Sequence, residues 1–179
     1  MKEQNFSTLF KVLSSEQQIL QRTDQKAFTM LSILGVFMVF FIVHFLKVQL
    51  DWFKFVMVII YFIAALIAIV NLILVIVPRI RKDKPHSGTE GMSPMFFGGI
   101  SQYQSAEAYA EDLMRVGDDA KQTYKMFAAQ VYSLGQINNY KNLALKRAIL
   151  FFVVAILSEL LIIMSMAWAR ALPYLFPAS

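Results

Sequence analysis

The 179-residue chain has no cysteine. That excludes disulfides, a thiolate nucleophile and a zinc–thiolate site. It has two histidines, His44 and His86, which lie in different regions. Charged residues make up only 16% of the chain. There is no Walker loop, no G-x-S-x-G, no H-E-x-x-H and no carboxylate pair beside a histidine. An enzyme is not expected, and no cofactor is implied. Proline is also sparse: none lies before Pro78, and none between Asp118 and Leu172.

What is abundant is apolar surface. The chain is 58% hydrophobic, with a mean hydropathy of +0.54, against about 45–50% apolar in ordinary soluble domains. Three long runs carry it: Ala27–Phe45, Phe53–Val77 and Ala148–Ala169. A helical span needs roughly 20 apolar residues to cross about 30 Å of hydrocarbon, and each run suffices. The first is not expected to be a cleaved signal, because it follows a polar amphipathic segment and lacks a small-residue cleavage site. The expected fold is an all-α membrane protein with three transmembrane helices per subunit. A helical hairpin or coiled bundle would lie between spans 2 and 3, and the subunits would form a homo-oligomer.

Basic residues near the span ends set the expected orientation. Lys2, Lys11, Arg22 and Lys26 precede the first run. Arg79, Arg81, Lys82 and Lys84 follow the second, and Lys141, Lys146 and Arg147 precede the third. Only Arg170 follows the third. The expectation is a cytoplasmic N-terminus, a cytoplasmic insert over 78–147 and a C-terminus outside. Trp52 and Trp168 then both fall at the outer interface, where amphipathic rings are favoured.

Residues 1–26 form a cytosolic amphipathic segment. Phe6, Leu9, Phe10, Leu13 and Leu20 recur at helical spacing, and no Pro or Gly separates them from the first run. One continuous helix is expected, its apolar stripe lying on the membrane surface or packing on the insert. Residues 78–94 read as a linker rich in charge, Pro, Gly and Ser. Phe96-Phe97-Gly98-Gly99 suggests a turn. A short helix over 103–116 is expected to stop at Gly117, with Asp118 capping the next helix and Asp119 in its first turn. That helix carries Ala120, Tyr124, Phe127, Val131 and Leu134 in steps of three and four. It should run roughly 50 residues, about 75 Å at 1.5 Å per residue, and become the third span. It is either a lever that moves the span or a passive stalk. Gly135, its only glycine, marks a close contact or a bend.

Glu159, preceded by Ser158, falls mid-way through the third run. A charged side chain at mid-bilayer costs about 2.5–3.5 kcal/mol on insertion scales, so such a residue usually faces a bundle interior, a partner or water. One reading is a pore-lining or gating ring in an oligomer, favouring cations, with Ser158 and Asn71 beside it. The other is a protonated acid hydrogen-bonded to Asn71 or Ser32 within one subunit. Three spans make a poor pore within one chain, so conduction implies a closed homo-oligomer; a tetramer is favoured. His44 reads as an interfacial residue.

The insert mixes cations with aromatics. Arg115, Lys121 and Lys125, with Arg79, Arg81 and Lys82 after the second span, can hold phosphates. Tyr124 offers a face on which a base can stack. Membrane-adjacent amphipathic helices also commonly have aromatic cores and basic rims.

Several motifs, taken in order, carry a family resemblance. Asp24-Gln25-Lys26-Ala27 stands at the entrance to the first span, and Phe96-Phe97-Gly98 follows the basic linker. Tyr132-Ser133-Leu134 comes next, then a basic stretch from Lys141 to Arg147. Over roughly residues 20–168 the set resembles the Pycsar-type transmembrane effectors of bacterial anti-phage systems. The resemblance implies action at the bacterial inner membrane under a nucleotide second messenger made by a partner nucleotidyltransferase, ending in abortive infection. Two departures stand out. Gly99 occupies a position that is often acidic in the family, and a separate cyclic-nucleotide domain is not expected in a chain this short. A ligand is then expected on the insert or on a partner protein. The chain's size also resembles the membrane component of the Hailong defence system, which implies a channel held shut by a single-stranded oligodeoxynucleotide.

Overall fold

The computed structural model describes residues 2–45, 51–77, 100–101 and 103–175. Among the described residues four α-helices follow one another: α1 (Lys2–Phe45), α2 (Trp52–Ile76), α3 (Ala106–Asp118) and α4 (Ala120–Leu175). There is no strand among the described residues. Helices α1, α2 and α4 are each long and apolar enough to cross a bilayer, so the chain is an all-α protein with a membrane location. The linker 78–94, the Phe96-Phe97-Gly98-Gly99 turn and the cations Arg79, Arg81 and Lys82 lie outside the described residues.

Local chemistry sets the helix ends. Asp51 caps α2 by accepting a hydrogen bond from the Lys54 amide at 2.9 Å, satisfying one of the first turn's free donors. At the other end Val77 is extended, with ψ of 122°, as expected of a residue that precedes proline. Ser105 caps α3 by accepting from the Ala108 amide at 3.2 Å.

The joint between α3 and α4 differs from the expectation in two ways. Gly117 does not stop α3, which continues through Asp118. The cap of α4 is Asp119 and not Asp118: its Oδ1 accepts from the amides of Lys121 and Gln122 at 2.9 and 3.2 Å. Asp119 is the one non-helical residue between the two helices, so it is the one whose side chain can turn back on free amides. The Thr123 hydroxyl ties the joint by donating to the Val116 carbonyl at 2.6 Å.

The chain divides into two compact units. One, here called the polar unit, comprises Met1–Gln21 and Pro78–Tyr140. Within it the apolar stripe of α1 packs on α4. Phe6 meets Tyr124 edge-on at 5.8 Å between ring centroids, and Phe10 meets Phe127 at 4.9 Å. These edge-to-face contacts are the preferred geometry for aromatic pairs.

The membrane unit comprises Arg22–Val77 and Lys141–Ser179. Its core has two clusters. Leu34 and Phe41 of α1, Tyr61, Ala64, Ala65 and Ala68 of α2, and Ala155 and Ile162 of α4 form one. Ala27, Leu72, Val75, Ala144, Leu145 and Ala148 form the other. Alanines let helix backbones approach closely where lipid provides no hydrophobic drive. The outward faces carry exposed large apolar side chains such as Val36, Leu66 and Leu150, which suits contact with acyl chains.

Candidate functional site

The three-and-four spacing read in 120–134 does not stop there. Continued along α4 it passes through Asn138, Lys141, Leu145, Ala148, Phe152, Ala155, Glu159 and Ile162. Every one of these is buried or half-buried. A 3.5-residue repeat keeps one seam of a helix against its neighbours, and Glu159 stands on that seam. It is 2% exposed, and neither carboxylate oxygen has a hydrogen-bond partner among the described residues.

The polar neighbours expected to bond it are occupied elsewhere. Asn71 Nδ2 donates to the Ile67 carbonyl at 2.8 Å, and Ser32 Oγ donates to the Phe28 carbonyl at 3.0 Å. Ser158 is buried and donates to the Val154 carbonyl at 2.9 Å. Helical side chains of these types return to their own backbone because the i−4 carbonyl is always within reach. Asn71 also sits ten residues beyond Tyr61, about 15 Å along α2.

Two residues not anticipated as partners do belong to this region. Tyr61 of α2 is 1% exposed, its hydroxyl has no hydrogen-bond partner among the described residues, and it lies within electrostatic reach of Glu159. Its ring stacks on Phe41 with centroids 4.2 Å apart. His44 of α1 joins Glu159, Phe41 and Ile162 in lining a tight cavity of about 10 Å³, the room of roughly one water. His44 Nδ1 lies 2.9 Å from the Phe40 carbonyl.

At the start of this unit, Lys141 reaches Asp24 with Nζ 2.6 Å from Oδ1. The aspartate of the Asp24-Gln25-Lys26-Ala27 motif is thus the partner of a buried lysine. In the polar unit, Asn138 Nδ2 donates both to the Glu16 carbonyl at 2.9 Å and to Glu16 Oε2 at 2.6 Å.

The ligand candidates of the polar unit are less concentrated. Lys121 and Lys125 are exposed, one turn apart on α4, and neither forms an ion pair among the described residues. Arg115 is committed: it pairs with Asp112 on its own helix, and Asp112 also accepts from the Tyr103 hydroxyl. Those two bonds, the Tyr103 one foremost, hold the Asp112 carboxyl below its ordinary value. Burial and then the same bond push Tyr103 up to about 12. Tyr124 is in edge-to-face contact with Phe6 and stays partly exposed. A shallow groove on α1, lined by Ser7, Phe10, Lys11, Ser14, Ser15 and Gln18, escaped sequence reasoning because isolated serines carry no pattern. Among the described residues no group of acidic or histidine side chains is arranged to hold a metal ion.

A model of the Pycsar effector protein domain matches residues 8–169. The chain belongs to the Pycsar effector family. The match takes in all three apolar helices and the seam that carries Glu159. This Pycsar effector is a membrane effector of anti-phage defence, and effectors of the family work with a cyclic nucleotide signal made by a partner. No curated protein and no solved structure matches the chain.

Proposed function

We propose that this Pycsar effector is the conducting subunit of a homo-oligomeric inner-membrane pore whose opening aborts infection. The carrying observation is Glu159, an acidic side chain buried at mid-span with no hydrogen-bond partner among the described residues. A polar seam residue of this kind costs stability and earns retention through register or function. Within one chain Glu159 is enclosed, so the open state requires the seam around it to part. Asn71 and Ser158 then become available to the same path. The N-terminus and residues 78–147 lie in the cytoplasm and the C-terminus outside, supported by the lysines and arginines that flank the spans.

Control comes from a phosphate-bearing ligand, a nucleotide or a single-stranded oligonucleotide supplied by a partner nucleotidyltransferase. The exposed Lys121 and Lys125 are its first contacts, with Arg115, Tyr124, Arg79, Arg81 and Lys82 around them. Helices α1 and α4 each contribute residues to both units, which supports them as the transmitting elements. The test is ion flux from vesicles holding the purified protein. Flux that depends on the nucleotide, is lost in Lys121→Glu/Lys125→Glu and is altered in Glu159→Gln supports the reading. Flux unaffected by Glu159→Gln removes Glu159 from the path.

A second reading is a non-conducting scaffold that holds the nucleotidyltransferase at the membrane. It is favoured by exposed Met114 and Tyr132 in the polar unit, 71% and 67% accessible. Co-purification of the enzyme with no vesicle flux under any ligand would establish it over the pore.

A further inference from the structure

Glu159 is the only charged residue of α4 between Arg147 and Arg170. Those arginines lie 12 and 11 residues away, about 18 and 16 Å along the helix. The groups that face it from the packed helices are Tyr61 of α2 and His44 of α1. Helix α2 supplies one cation, Lys54, which is paired with Asp51 at 3.0 Å. No ion pair joins His44 to Glu159 among the described residues. Both carboxylate oxygens and the Tyr61 hydroxyl are buried with no hydrogen-bond partner among the described residues. The adjoining cavity of about 10 Å³ admits at most about one water.

An ionised carboxylate needs several donors or a counter-ion once it leaves bulk water. Among the described residues no donor reaches the Glu159 oxygens and no ion pair is made; His44, the one neighbour able to carry positive charge, lines the same cavity without pairing to it. The neutral acid needs far less, since it exposes no net charge to the hydrocarbon. We propose that Glu159 is an intramembrane proton-binding site, occupied in the packed three-helix core. Release of the proton to water leaves a carboxylate that the closed core does not solvate. Deprotonation therefore goes with wetting of the seam. The inference does not depend on conduction and stands if the chain proves to be a scaffold.

Infrared spectroscopy of the full chain in phospholipid vesicles at neutral pH tests it. The expected result is a carbonyl band of a protonated carboxylic acid that is absent in Glu159→Gln. A second measurement needs no substitution. Protonated carboxyls in apolar surroundings add across dicyclohexylcarbodiimide, the proton going to its nitrogen and the carboxyl oxygen to its central carbon, and mass spectrometry then locates the rearranged N-acylurea adduct. Modification concentrated on the peptide containing Glu159, and falling as pH rises, supports the proposal. A wild-type spectrum with no acid band, together with an unmodified Glu159 peptide at neutral pH, overturns it.

Discussion

Lys141 and Asp24 form a buried ion pair within the membrane unit, with Nζ 2.6 Å from Oδ1 and the lysine side chain only 6% exposed. The two ends are unequal, because Asp24 keeps 31% of its side-chain surface. Asp24→Ala strands a buried ammonium, whereas Lys141→Met leaves a carboxylate that can turn to water. Asp24→Ala should destabilise by about 1–3 kcal/mol, below the about 3–5 kcal/mol of a fully buried pair. Lys141→Met should cost less. Thermal unfolding in detergent orders the two variants, and the reverse order would contradict this account.

Asn138 is a second such tie, in the polar unit. Its amide donates twice to Glu16 while its Oδ1 is buried and unpaired. Asn138→Ala should lose about 1–3 kcal/mol. Asn138→Asp should be worse at neutral pH, since it removes both donors and sets a carboxylate against Glu16. A melting temperature for Asn138→Asp at or above that of Asn138→Ala would refute the assignment.

The Tyr103–Asp112–Arg115 group predicts a pH profile for α3. Folding holds Asp112 below its ordinary value of 3.8. That stabilisation is fully present above 3.8 and is lost as pH falls from there through the lowered folded-state value. Tyr103 is raised from 10.0 to about 12, so its contribution is present below pH 10.0 and is lost as pH rises toward about 12. Hydrogen exchange of residues 106–118, corrected for intrinsic rates, should show protection falling at both extremes. Tyr103→Phe should abolish the alkaline limb and shrink the acid one; an unchanged profile would rule the group out.

Ala68 is 0% exposed within the larger apolar cluster of the membrane unit. Leucine there forces the helices apart, at a cost of about 1–3 kcal/mol. Leu66→Ala, on the exposed face, should change stability little by comparison. Equal losses at the two positions would mean that the alanine face is not a packed interface.

Much of the site was legible in the chain. The three-and-four spacing that starts at Ala120 runs unbroken to Ile162, and following it far enough puts Glu159 on the buried seam. The partners of Glu159 were harder to name. Asn71 and Ser32 are the nearest polar choices by residue type, yet each hydrogen-bonds its own helix. Tyr61 was missed because a tyrosine in an apolar run looks like bulk. The cap of α4 is Asp119 and not Asp118: two adjacent aspartates cap equally well in sequence, and only the course of α3 chooses between them.

The sequence by itself determined the elements and the membrane. Apolar run length, scarce proline and the three-and-four repeat act on each segment locally, through hydrogen bonding along one helix and transfer into hydrocarbon. Tertiary structure alone decided the long-range bonds, Asp24 with Lys141 and Glu16 with Asn138, and set Tyr61 within electrostatic reach of Glu159. Those residues lie far apart in the chain, and within the membrane unit the alanine clusters let the helices approach closely. That closeness also made Glu159 an enclosed acid and kept it off the lipid face.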